Sequence, residues 1–262
     1  TTVTGKLPPM TAELESLSNR LEDHVYHLSA RIGERSAGQA IKLDQAADYI
    51  QDQLDSYGYI PANRVFGQDL FRNIEVDLYG RELRGEVIVV GAHYDTRWLT
   101  PGADDNASGV AGLLEIARAL QGRRFPRTIR FIAFGNEEVP SYRREEMGSM
   151  YSAKRSWTRS EVIAGMISLE MIGYFSDAED SQRVPFSVLK LFYPARGNFV
   201  LVVGNLSQWS VTRRVKGAMR GATSEAVQER EHEVAVSRAL GADSAAVMRA
   251  TLFEGGLLGL LG

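Results

Sequence analysis

Seven residues of this sequence, His93, Asp95, Asp104, Asp105, Glu137, Glu138 and Glu170, are of the types that hold a hard or borderline metal ion and move protons. Five of them fall where an apolar run gives out, and Asp104 and Asp105 lie in the stretch after the first run. The run Glu86-Val-Ile-Val-Val-Gly-Ala-His-Tyr-Asp95 is β-branched and stops in polar residues; a second, 128–134, is followed by Glu137 and Glu138; a third, 166–171, holds Glu170. The stretch after the first run carries Asp104 and Asp105 just before a helical pattern. The chain contains no cysteine, so any metal must be held by imidazole and carboxylate, a donor set that suits zinc or manganese in a hydrolytic site.

The spacings have physical readings. His93 and Asp95 are two apart on an extended segment and share a face, which lets Asp95 hold the imidazole in its metal-binding orientation. Asp104 and Asp105 sit where a helix dipole favours a carboxylate. Adjacent Glu137 and Glu138 point in different directions, so one can bind metal while the other takes a proton from water. Taken singly, Asp-Asp-Asn before a helix reads as a cap, a Glu pair as a solvated face and a lone histidine as core. Their joint occurrence at three successive strand ends is what none of those readings accounts for. His24 and His27, three apart on a helix without nearby acids in sequence, read as ordinary surface or partly buried positions.

The elements that must position these groups are legible from periodicity. Leu14, Leu17, Leu21, Val25 and Leu28 predict an amphipathic helix over 10–31; Ile41, Ala47, Ile50 and Leu54 predict another over 40–57, stopped at Gly58. A strand over 73–78, a helix over 108–120 with Val110, Leu113, Leu114 and Ala117 on one stripe, a helix over 145–154 and a strand over 199–203 complete the pattern. Apolar strands alternating with helices indicate an α/β three-layer sandwich with a mostly parallel central sheet. In such a sheet the ligand site lies beyond the carboxyl ends of the strands, which is where the seven residues fall.

Composition narrows the classes further. At 262 residues, 44% hydrophobic and 24% charged, the chain is long enough for a sizeable core, and a net charge of -3 argues against a nucleic-acid partner. No run of about 18 apolar residues spans a membrane.

Gly91-Ala-His-Tyr-Asp-Thr96, Pro101-Gly-Ala-Asp-Asp-Asn-Ala-Ser-Gly109, Phe134-Gly-Asn-Glu-Glu138 and Ser168-Leu-Glu-Met-Ile-Gly-Tyr174, in this order, resemble the M28 family of zinc peptidases over residues 8–222. The resemblance implies the zinc exopeptidase (phosphorylase/hydrolase-like) fold and an aminopeptidase that removes N-terminal residues through a metal-activated water. It implies that His93 binds one zinc, that Asp105 bridges two, that Glu138 binds the other and that Glu170 completes the first site. Glu137 would be the general base and Asp95 the orienting partner of His93. The substrate implied is a peptide with a free N-terminus. Glu170 stands where many relatives have Asp.

The end of the sequence departs from the family. Relatives carry a Ser-Asp-His segment whose histidine completes the zinc site of Glu138; here only His232 follows, in Glu231-His-Glu233. Residues 229–262 resemble instead the segment leading into a transmembrane helix of ABC-transporter permeases of the macrolide-export and lipoprotein-release type. The expected organisation is therefore a zinc peptidase domain over 1–224, missing or replaced at its C-terminal part, and an atypical Leu/Gly-rich tail over 225–262, through which alone membrane association is expected. Of the two zincs of the family, one is expected to be held tightly. A glutaminyl-cyclase-like one-zinc enzyme, or a catalytically impaired domain with a binding role, are the alternatives.

Overall fold

The structure, a computed structural model, describes residues 11–68, 70–182, 195–205 and 209–222. The chain divides into two compact units, one spanning Glu13–Gly173 and the other formed by Tyr174–Gly262 with the N-terminal residues. All seven candidate residues belong to the first.

That unit runs α1 (Ala12–Tyr26), α2 (Ala40–Ser56), β1 (Ala62–Phe66), β2 (Phe71–Leu78), β3 (Leu83–His93), α3 (Gly109–Leu120), β4 (Arg127–Phe134), α4 (Gly148–Thr158) and β5 (Val162–Ser168). Helix α1 continues as a π-helical turn, His27–Ile32, closed by Gly33 at φ 83°. Helix α2 stops where Gly58 takes φ 87°, a conformation that glycine adopts without strain. The five strands form one sheet in the order β1-β2-β4-β3-β5. The β4–β3 and β3–β5 pairs are parallel and the β1–β2 and β2–β4 pairs antiparallel, so only β2 runs against the other four.

Alternation along the strands divides the sheet faces. Ile74, Val76, Val90, Ala92, Phe131 and Ala133 pack into the larger core with Leu43, Ala46, Ala47, Ile50 and Leu54 of α2 and Val110, Leu113, Leu114 and Ala117 of α3. Val87, Val89, Ile132 and Phe134 line the opposite face. Helix α4 belongs to that second side, since Asn73 Nδ2 donates to Gly148 O (2.8 Å) and Arg155 pairs with the buried Glu75 (3.1 Å). Helices on both faces make the three layers.

The histidines of α1 join a polar cluster far along the chain from the strand ends. His24 is buried, with Nδ1 2.6 Å from the Tyr49 hydroxyl and Nε2 3.6 Å from Glu115, while His27 stacks on the Tyr49 ring.

Several boundaries shift. The helix expected over 145–154 occupies Gly148–Thr158, and the strand expected over 166–171 is Val162–Ser168. Leu169 N–H still donates to Gly91 O at 2.8 Å, after which the chain leaves the sheet, so Glu170 sits on an irregular segment just past the strand. Residues 199–203, expected as a strand, are not one: they pair with no strand in the described structure. Strand β1 was not signalled, because Asn63 and Arg64 break any apolar alternation. In the second unit the described helix is α5 (Trp209–Ala222). The tail expected over 225–262, with its permease-like segment and His232, lies outside the described residues. No helix among the described residues is long and apolar enough to cross a membrane.

Candidate metal centre

Three neighbouring strands deliver the candidate residues to one place. His93 is the last residue of β3, paired in register with Phe134, the last of β4. Glu137 and Glu138 follow β4 by three and four residues, and Glu170 follows β5 by two. His93 is 4% exposed, and its Nε2 lies 3.1 Å from Asp105 Oδ1 and 3.3 Å from Glu170 Oε1. Nδ1 faces Asp95 Oδ1 at 3.4 Å, and both atoms are buried without another polar partner. The other oxygen of Asp95 accepts the main-chain N–H of Glu138 (2.8 Å), so one carboxylate steadies both the imidazole and the Glu137–Glu138 turn.

The loop between β3 and α3 shapes the rest. Gly102, in the left-handed region at φ 57°, opens a tight turn over Ala103–Ser108, and its carbonyl accepts the Ala107 N–H at 3.1 Å. Asp105 is thereby turned toward His93. Asp104 faces elsewhere: its Oδ1 accepts the Gly173 N–H (2.9 Å) and the Ser108 hydroxyl (3.3 Å). Asn106, fully buried, was not singled out in the sequence. Its Nδ2 donates to Leu169 O (2.9 Å) and Glu170 Oε2 (3.2 Å), and its Oδ1 accepts the N–H groups of Gly109 and Met171. It thus fastens the Glu170 segment to the start of α3, and the signal available was its place directly after two acids at a helix start.

Five carboxylates around one imidazole perturb one another. Burial, joined by the charges of Asp95, Glu170 and Glu138 and opposed by His93, pushes the Glu137 carboxyl up to about 8. Burial and the charge of Asp105 push Glu138 up to about 7, and burial raises Glu170 as well. For Asp105, burial is outweighed by its hydrogen bond and attraction to His93, and the carboxyl is held below its ordinary value. Burial would lower His93, but the charges of Glu170 and Glu137 and the contacts with Asp105 and Asp95 hold it well above 6.5. The cluster retains protons that a divalent cation could replace.

The donor set fits such a cation. Ligand atoms of His93, Asp105 and Glu170 lie within 4.8 Å of one another, and so do those of His93, Glu137 and Glu138. Both groups draw on the same imidazole. Nε2 already faces Asp105 and Glu170, and neither His24 nor His27, both engaged with Tyr49, supplies a second nitrogen.

Known proteins resemble this chain in sequence and in fold. The sequence profile of peptidase family M28 matches residues 73–237. YfbL of Escherichia coli is 39% identical over 215 residues, 76% of this chain; the chain spans 64% of the length of YfbL. Aminopeptidase YwaD of Bacillus subtilis is 48% identical over 54 residues, 21% of this chain and 12% of YwaD. Among solved structures, BSAP, a zinc aminopeptidase from Bacillus subtilis, superposes with a TM-score of 0.52 over 68% of this chain and 73% of that one at 16% identity, a likeness of fold.

Proposed function

The chain belongs to peptidase family M28, and from that premise we propose that it is a zinc-dependent aminopeptidase acting on peptides with a free N-terminus. The observation that carries the proposal is the convergence of Asp105 (3.1 Å) and Glu170 (3.3 Å) on His93 Nε2, with Glu137 close to the same imidazole. The aminopeptidase among its relatives supports the choice of exopeptidase.

His93, Asp105 and Glu170 would hold one zinc, and Glu138 with the shared Asp105 a second. Bound there, zinc supplies Lewis acidity that polarises a scissile carbonyl and makes water a better nucleophile near neutral pH. The remaining work falls to this chain's residues. Glu137 takes the proton of the attacking water and returns it to the leaving amine. Asp95 holds the His93 ring through Nδ1 and the Glu137–Glu138 turn through the Glu138 N–H. Asn106 keeps Glu170 in reach of His93.

One observation favours a narrower reading of the second zinc. Because both ligand groups use His93, Glu138 has only carboxylate partners left among the described residues, and two carboxylates without an imidazole should hold zinc weakly. On this reading the chain is a one-zinc, catalytically impaired member. Membrane association, on the same proposal, would run only through the tail, residues 225–262. Hydrolysis of an aminoacyl nitroanilide with added zinc, with His93→Ala alongside, separates the readings. Turnover that depends on zinc and on His93 supports the peptidase, metal uptake without turnover supports the impaired form, and neither one rules out both.

A further inference from the structure

Arg35 lies between the π-helical end of α1 and the start of α2, and none of its surface reaches solvent. Its guanidinium donates to five main-chain carbonyls: Leu28 (2.7 Å) and Gly33 (2.7 Å) beside it, Tyr94 (2.8 Å) at the end of β3, and Pro101 (2.8 Å) and Gly102 (3.0 Å) in the following loop. Its main-chain N–H donates to Thr96 Oγ1 (2.9 Å), and the Thr96 N–H donates back to Arg35 O (3.4 Å). Enclosing a cation so completely is costly, and an apolar side chain would fill the space without that cost. The position of its acceptors shows what the cation accomplishes.

Tyr94 lies between His93 and Asp95, so a bond to its carbonyl fixes the backbone that carries both. The Gly102 carbonyl accepts from Arg35 and from Ala107 N–H alike, which closes the turn presenting Asp105. The turn has no slack: a Cβ on Gly102 would come within 2.2 Å of Thr96 Cγ2, 2.5 Å of Asp105 O and 2.9 Å of Arg35 Nη2. Nε, Nη1 and Nη2 face carbonyls on three sides, the two N–H groups of Nη1 being shared among Leu28, Gly33 and Pro101, a spread that the single nitrogen of lysine cannot reach.

We infer that Arg35 is a positioning residue for the metal centre, setting the separation of His93 and Asp105 by fastening the end of β3 and the Pro101–Gly102 turn to one rigid group. The charge serves the same end. Burial pushes the guanidinium down to about 10, while the nearby charges of Asp95 and Asp105 pull the other way, so the cation also eases the crowding of acids around His93. The inference rests on the proposed reading that His93, Asp105 and Glu170 hold a divalent ion.

Cobalt(II) alone is the probe, titrated into the metal-free full chain and followed by its visible absorption, with circular dichroism and melting of the metal-free forms as controls for folding. The wild type is expected to take up cobalt with a defined d–d band. Arg35→Lys, which keeps the charge and loses the fork, should bind about 10–100-fold more weakly, the usual effect of removing a group that orients metal ligands, with a shifted band. Thr96→Val, which breaks only the tie from the Arg35 N–H, should shift affinity and band in the same direction by less, and it decides the matter if Arg35→Lys does not fold. A folded variant that melts lower yet binds cobalt with wild-type affinity and spectrum overturns the inference, leaving Arg35 a purely structural residue. A wild type that takes up no cobalt overturns the metal-site reading itself, and the inference with it.

Discussion

Replacing Glu137 by Gln tests the electrostatics of the site without changing its shape. The Glu137 carboxyl is pushed from 4.5 up to about 8, by burial first and by Asp95, Glu170 and Glu138 next. A carboxyl whose folded value is raised contributes stability that is fully present below about 4.5 and lost as pH rises through about 8. At 1.36 kcal/mol per tenfold change, the rise corresponds to at most about 5 kcal/mol, because the acids around it titrate together. Glutamine mimics the protonated form at every pH. Chelator-treated wild type should therefore lose several kcal/mol of unfolding free energy between pH 5 and pH 8.5, measured by urea titration, whereas Glu137→Gln should lose distinctly less. His93 is raised as well, in part by the charge of Glu137, so its own loss of stability with rising pH also shrinks in the variant and adds to the difference. With zinc at saturation, the variant should keep its metal while any nitroanilide hydrolysis falls about 10²–10⁴-fold, the range for a positioned acid–base group. Superimposed urea curves at pH 8.5, or wild-type turnover in the metal-replete variant, would refute the assignment of Glu137 as the buried proton carrier.

Asp105→Ala should lose more zinc than any other single change, because that carboxylate faces His93 and is shared between the two proposed sites, whereas Asp104→Ala should lower stability and spare metal, because Asp104 is bound to Gly173 N–H and Ser108. Zinc titration of both variants decides, and a larger loss in Asp104→Ala would place the loop in the wrong register. Leu113→Ala, deep between α3 and the sheet, should cost about 2–5 kcal/mol of stability by leaving a cavity, with metal stoichiometry unchanged in the folded fraction. Denaturation with parallel elemental analysis checks both halves of that expectation.

The site was legible where its residues follow apolar strands, since a strand end shows in the sequence as a sharp change from Val and Ile to His, Asp and Glu. His93, Glu137, Glu138 and Glu170 converge for that reason, and Asp105 meets them from the β3–α3 loop. The connections that hold them were not legible. Asn106 reads as a cap residue and nothing in the sequence around Arg35 singles it out, because their roles depend on contacts 63 and 59 residues away, with Leu169 and Tyr94. Helices α2 and α3 were found by their apolar stripes because each packs one face on the core. Strand β1 was hidden because it is short and half-exposed, its alternation interrupted by Asn63 and Arg64. The end of β5 was placed too late because Leu169, Met171 and Ile172 continue the apolar run after the chain has left the sheet.

Zinc per chain in purified, dialysed protein, compared with His93→Ala, measures the central claim most directly. With three protein ligands at His93, Asp105 and Glu170 and, among the described residues, only carboxylates beside Glu138, the wild type should hold about one tight zinc, and His93→Ala should hold almost none. Zinc retained in His93→Ala, or absent from the wild type, would contradict the metal centre; two tight zincs would contradict the ligand count.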